Sequence, residues 1–110
     1  MKPSPFCVFD EVDAGVGGGV AEIVGRRLRD LGDGRQVLCV THLPQVASQS
    51  HHHVRVSKLA SARTTRTTLT ALNDDEKVEE LARMLGGVEI TRKTLDHAAE
   101  MLAGARQKRA

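Results

Sequence analysis

The sequence has no tryptophan and no tyrosine, and its only aromatic residues besides histidine are Phe6 and Phe9. Proteins that grip single-stranded nucleic acid stack the bases on aromatic rings, so that mode of binding is excluded. Cysteine is equally scarce. Cys7 and Cys39 each sit in a short apolar run without paired spacing, which reads as buried thiols in a reducing cytosol rather than a disulfide framework. No apolar stretch is long, because Asp10 and Glu11 interrupt the first one at once. Neither a signal peptide nor a membrane-spanning helix is expected, and a cytoplasmic location follows. Charge of one sign is not in excess either: 16 Lys+Arg face 14 Asp+Glu. Bulk charge therefore makes no case for nucleic-acid binding, although a local patch remains open. What is present is 110 residues, 40% of them hydrophobic, enough for one small domain with a core.

The apolar run Phe6-Cys-Val-Phe9 after Pro5, closed by acids, has the character of a strand buried on both faces of a parallel sheet. A glycine-rich segment, 14–19, leads into a helical pattern with Val20, Ile23, Val24, Leu28 and Leu31 on one face and Gly32 as its stop. After the turn Asp33-Gly34 a second buried run, Gln36–Val40, ends in Thr41-His42. Strand, helix and strand of these lengths predict a βαβ crossover. Residues 43–48 suit a short helix with Pro44 in its first turn. Residues 51–58 and 64–72, rich in Val and Thr, predict an antiparallel hairpin. Asn73 with Glu76 predicts a helix start, Val78, Leu81, Ala82 and Leu85 its buried stripe, and Gly86-Gly87 its end. A last helix from about Thr91 would bury Leu95, Ala98, Ala99 and Leu102, and the tail from Arg106 to Ala110 would fray.

Chemistry concentrates where the first strand ends, at Asp10-Glu11. Side chains at the carboxyl end of a parallel strand emerge into the crevice where α/β sheets bind ligands. One carboxylate there can hold magnesium through water, and the next can serve as general base toward an attacking water. Asp13 adds a third charge. An acidic loop that merely caps the following helix would read the same way. His42 favours the catalytic reading, because the crossover geometry brings the ends of both strands to one side of the sheet. His51-His52-His53 reads as surface strand histidines rather than a zinc site, since alternation along a strand lets only two share a face. Arg26, Arg27, Arg29, Arg63, Arg66 and the basic tail read as solvated faces.

Phe6-Cys-Val-Phe-Asp-Glu-Val-Asp-Ala-Gly15, then Val40-Thr-His-Leu-Pro-Gln-Val-Ala47, then Val78-Glu-Glu-Leu-Ala-Arg-Met-Leu-Gly-Gly87 with Thr91 and Thr94-Leu95, together resemble the C-terminal part of the RecN family. These are bacterial SMC-like ATPases of DNA double-strand break repair with an ABC-type head. The resemblance implies the C-terminal lobe of an ABC/SMC-type P-loop ATPase head: an α/β fold with a βαβ parallel core, a β-hairpin and two C-terminal helices, incomplete alone. It implies that Asp10 is the Walker B aspartate that holds Mg2+, Glu11 the catalytic base, and His42 the switch histidine that senses the γ-phosphate of ATP. Asp13, Gly15 and the glycines after it match the D-loop, which faces a second head, although Gly17 stands where SMC-type loops often have an aspartate. DNA and a second head are the implied partners, at the nucleoid.

No Gly-x-x-x-x-Gly-Lys-Ser/Thr occurs in the sequence, so no loop of this chain cradles the β- and γ-phosphates. An ABC signature and coiled-coil heptads are missing as well. In the resembled family they lie upstream, and Met1 stands where a cut within a head would fall. The chain is therefore expected not to hydrolyse ATP alone. Two other readings remain: a non-catalytic module that docks on a complete head, and a two-metal phosphoesterase using Asp10, Glu11 and Asp13. The phosphoesterase would need more carboxylates, and the second strand offers only His42.

Overall fold

Gln36–Val40 and Phe6–Asp10 are rich in branched and aromatic side chains and, joined by a helix-length connection, can pair only in parallel. The computed structural model, which describes residues 6–10, 15–86 and 89–107, shows that pairing. Strands β1 (Phe6–Asp10) and β2 (Gln36–Val40) are joined through helix α1 (Gly18–Leu31). They run parallel, with Val8 opposite Leu38 and Asp10 opposite Val40. A short helix α2 (Pro44–Ala47), a hairpin of β3 (Val54–Ala60) and β4 (Thr65–Ala71), and helices α3 (Asp74–Gly86) and α4 (Arg92–Gln107) complete the order.

The parallel pair is not buried on both faces as expected. Phe6, Val8, Leu38 and Val40 are more than half exposed, whereas Cys7, Phe9, Val37 and Cys39 on the other face are half-buried. α1 lies against the sheet, and no described residue covers the outer face. The two thiols are therefore half-buried rather than core residues, and no disulfide joins them. The inward face of α1 also differs from its apolar pattern. Ala21 and Gly25 are its buried residues, while Val20 and Ile23 are 53% and 54% exposed. Small side chains let α2 approach closely, while Val24, Leu28 and Leu31 are half-buried and only Val20 and Ile23 stand largely in the open.

The densest packing lies in the second half of the chain. Ala47, Leu81, Ala82, Ala98 and Leu102 form a buried cluster, flanked by Val78, Met84, Leu85 and Leu95. α3 begins with a reciprocal cap: the Asn73 backbone N–H donates to Glu76 Oε1 at 3.0 Å, and the Glu76 N–H donates to Asn73 Oδ1 at 2.8 Å. α4 is capped in turn by Thr91, whose Oγ1 accepts the Thr94 N–H at 3.2 Å. Arg106 near the end of α4 donates to Asp74 at the start of α3 at 2.6 Å, which fixes the two helices antiparallel. The buried side of α4 is Ala98, Leu102 and Ala105, with Leu95 half-buried. Ala99, expected inside, is exposed because it lies one residue off that stripe. Gln107 closes α4, and the tail beyond it lies outside the described residues.

Candidate functional site

β1 ends at Asp10 and β2 at Val40, directly opposite each other, so both carboxyl ends open at the same edge of the sheet. Asp10 is exposed and shares the open face with Val8, Leu38 and Val40. His42 follows two residues after β2 and is exposed. The turn between them is shaped by Thr41, whose Oγ1 accepts the Leu43 N–H at 3.0 Å. Leu43 is the N-cap of α2 and Pro44 fills its first position, where the missing N–H is no loss. Glu11 and Asp13 lie outside the described residues. Gly15 lies in a turn at φ +76°, a backbone conformation that glycine adopts without strain. Asp10 and the start of the His42 loop thus share one sheet edge.

That edge is held by a contact that the sequence pattern did not single out. A Cβ on Gly25 would stand 2.9 Å from the Gln45 carbonyl oxygen and 3.1 Å from the Val46 Cα, so α1 and α2 touch backbone to backbone there. Arg29 Nη1 donates to the Gln49 carbonyl at 2.6 Å and secures the end of the same short helix. The small residues Ala21 and Gly25, four apart, were the available signal. α2 in turn carries the 41–43 turn. A cleft of about 440 Å³ between the start of α1, α2 and α4 is lined by Glu22, Gln45, Gln49, His97 and Glu100 among others. Neither Asp10 nor His42 borders it.

The histidine triplet sits before β3 rather than in it. His51 and His52 are exposed, and His51 Nε2 lies 3.7 Å from Asp33 Oδ1. His53 is half-buried, its carbonyl accepting the Leu72 N–H at 3.0 Å. Burial holds the His53 imidazole below the ordinary range; Lys77 pushes the same way and Glu80 opposes it. Among the described residues no three His, Cys, Asp or Glu side chains converge as a metal site would require.

The fold is that of an SMC ATPase head lobe. A solved structure from work on ATP-driven dimerization and DNA-stimulated activation of SMC ATPases superposes on 99% of this chain and 52% of its own, with a TM-score of 0.55 and 18% identity. The likeness in sequence is more particular, and it is to RecN. The chain is 52% identical over 98 residues to DNA repair protein RecN of Xylella fastidiosa (strain 9a5c), and 49% over 102 residues to that of Vibrio cholerae. To RecN of Deinococcus radiodurans it is 48% identical over 101 residues. These matches cover 89%, 93% and 92% of this chain but 18% of each relative's length. No family model matches the chain. No described helix is long and apolar enough to cross a membrane.

Proposed function

We propose that this chain supplies the hydrolytic half of a nucleotide site in a RecN-type ATPase head, serving recombinational repair of DNA double-strand breaks. The observation that carries the reading is the parallel register of β1 and β2, with Asp10 opposite Val40 and His42 two residues beyond. An exposed carboxylate at that position suits a magnesium ion held through water. When bound, Mg-ATP supplies the phosphorus that water attacks and the charge that the metal neutralises. In this reading Asp10 orients the metal's water shell, Glu11 accepts the proton of the attacking water, and His42 donates a hydrogen bond toward the γ-phosphate. Asp13 and Gly15 belong to the loop that meets a second head. The phosphate loop comes from another part of the protein, since this sequence has none. DNA at the nucleoid is the partner of the whole assembly.

The decisive variant is Glu11→Gln in the protein at the length its cells make. Nucleotide binding by equilibrium dialysis should persist while turnover falls by at least a hundredfold, the lower end of what a positioned general base contributes. Hydrolysis equal to that of the parent would overturn the assignment. A second reading, a docking module without chemistry, draws on the uncovered face of Phe6, Val8, Leu38 and Val40. It predicts no turnover in the parent protein and capture of a separate complete head.

A further inference from the structure

Residues 34–73 contain no aspartate and no glutamate, although the chain has 14 of them. Every acid lies before this stretch or after it, so the near-neutral total hides a strong segregation of charge. The β3–β4 hairpin occupies the second half of the stretch. It stands away from the rest of the molecule and is tied to it near its base, where Arg55 lies 3.9 Å from the buried Glu80. Its distal end carries Lys58, Arg63 and Arg66, all exposed, and none in an ion pair with a described residue. The same end presents Ser61, Thr64, Thr65 and Thr67, again exposed.

The geometry makes a basic ribbon of this end. Lys58 is opposite Thr67 and Leu59 opposite Arg66, so Lys58 and Arg66 leave opposite faces of the ladder one step apart. Arg63 rides on a tip in which the Ser61 N–H donates to the Thr64 carbonyl at 2.8 Å and the Thr64 N–H donates to Ser61 Oγ at 3.2 Å. Three cations thus lie within roughly 10 Å along the strands, beside hydroxyl donors. A two-stranded ribbon is narrow enough to follow a major groove. The partner such a surface fits is a dense row of phosphates. Without tryptophan or tyrosine, and with both phenylalanines in β1, the hairpin has no ring on which to stack unpaired bases. Duplex DNA is therefore favoured over single strands.

We propose that the distal end of the β3–β4 hairpin contacts the phosphate backbone of duplex DNA through Lys58, Arg63 and Arg66, independently of base sequence. The inference rests on the repair reading above and adds the place of contact. Arg55, occupied by Glu80, is not part of it.

The test is duplex binding by fluorescence anisotropy across a salt series, on the protein at its cellular length. Substitution of Lys58, Arg63 and Arg66 by Gln should weaken binding at least tenfold. It should also flatten the slope of log K against log salt by about 2.7, at about 0.9 per lost phosphate contact. A control with Gln at Arg27, Arg35 and Lys93 removes the same charge elsewhere and should leave the slope nearly unchanged. A version with Arg at 58 and Lys at 63 and 66 keeps the charge and should bind as the parent does, which separates contact from folding. Equal losses in hairpin and control variants, or an unchanged slope in the hairpin variant, would overturn the proposal while leaving the repair reading intact. A parent protein that fails to bind duplex would overturn both. Binding to phosphatidylserine vesicles instead of duplex, lost in the hairpin variant, would reassign the surface and refute the DNA contact.

Discussion

At Gly25 a single hydrogen atom decides where α2 sits. A methyl group there meets the Gln45 carbonyl and the Gln49 Cγ, both 2.9 Å from its ideal position, closer than packed atoms tolerate. Gly25→Ala would gain helix propensity but force the two backbones apart. Overpacking should prevail, with a net loss of about 1–3 kcal/mol in urea unfolding, and a stabilised variant would refute the close approach. His53 makes a pH-dependent contribution. Its folded pKa is lowered, so below about 6.5 the unfolded chain takes up a proton that the folded state resists. The stability it protects is complete above that pH and is lost as pH falls through the folded value. Urea midpoints between pH 7.5 and 5 should fall less steeply in His53→Gln than in the parent; equal slopes would remove His53 from the account. Neither residue was legible beforehand. A glycine inside a helix signals weakness rather than contact, and the triplet's chemistry depended on where β3 starts. That Asp10 and the His42 loop lie at one end of the sheet was legible, because two strands joined by a helix-length connection run parallel and end on the same side.

The elements followed the sequence closely wherever local physics decides. The cap at Asn73 is an example, since both of its hydrogen bonds are made within four residues. Asn73→Ala should cost about 1 kcal/mol, seen as a lower thermal midpoint with the same circular dichroism spectrum at 20 °C. No change in midpoint would mean that the three acids of the first turn suffice to start α3. The hairpin, α2 and both C-terminal helices also began and ended within a few residues of expectation. What local pattern could not reveal was which apolar positions find partners. Val20 and Ile23 repeat as a buried face should, yet α1 turns Ala21 and Gly25 inward. Burial is a property of neighbours in space, and the neighbour α2 is four residues long, too short to announce itself by period.

The molecule as a whole is uneven. The buried cluster joins α2, α3 and α4, whereas the two-stranded parallel sheet that carries Asp10 has, among the described residues, two open edges and one uncovered apolar face. A pair of strands is marginal by itself in water, and exposed strand edges template association. In hydrogen exchange on the 110-residue chain, amides of α3 and α4 should therefore outlast those of β1 and β2 by orders of magnitude. The same contrast distinguishes a face that has evolved for water from one that is covered in a longer protein. The double substitution Val8→Thr with Leu38→Thr removes apolar surface while placing a β-branched strand former at both positions. In the 110-residue chain it should raise solubility and change the unfolding free energy by no more than about 0.5 kcal/mol, as expected of surface positions. In the protein at its cellular length the same pair should destabilise the head by about 2 kcal/mol or more, because two buried side chains would lose their transfer energy. Equal and negligible effects in both would mean that this face meets water in the working protein. The sheet edge that carries Asp10 would then have to be held by β1, β2 and α1 alone.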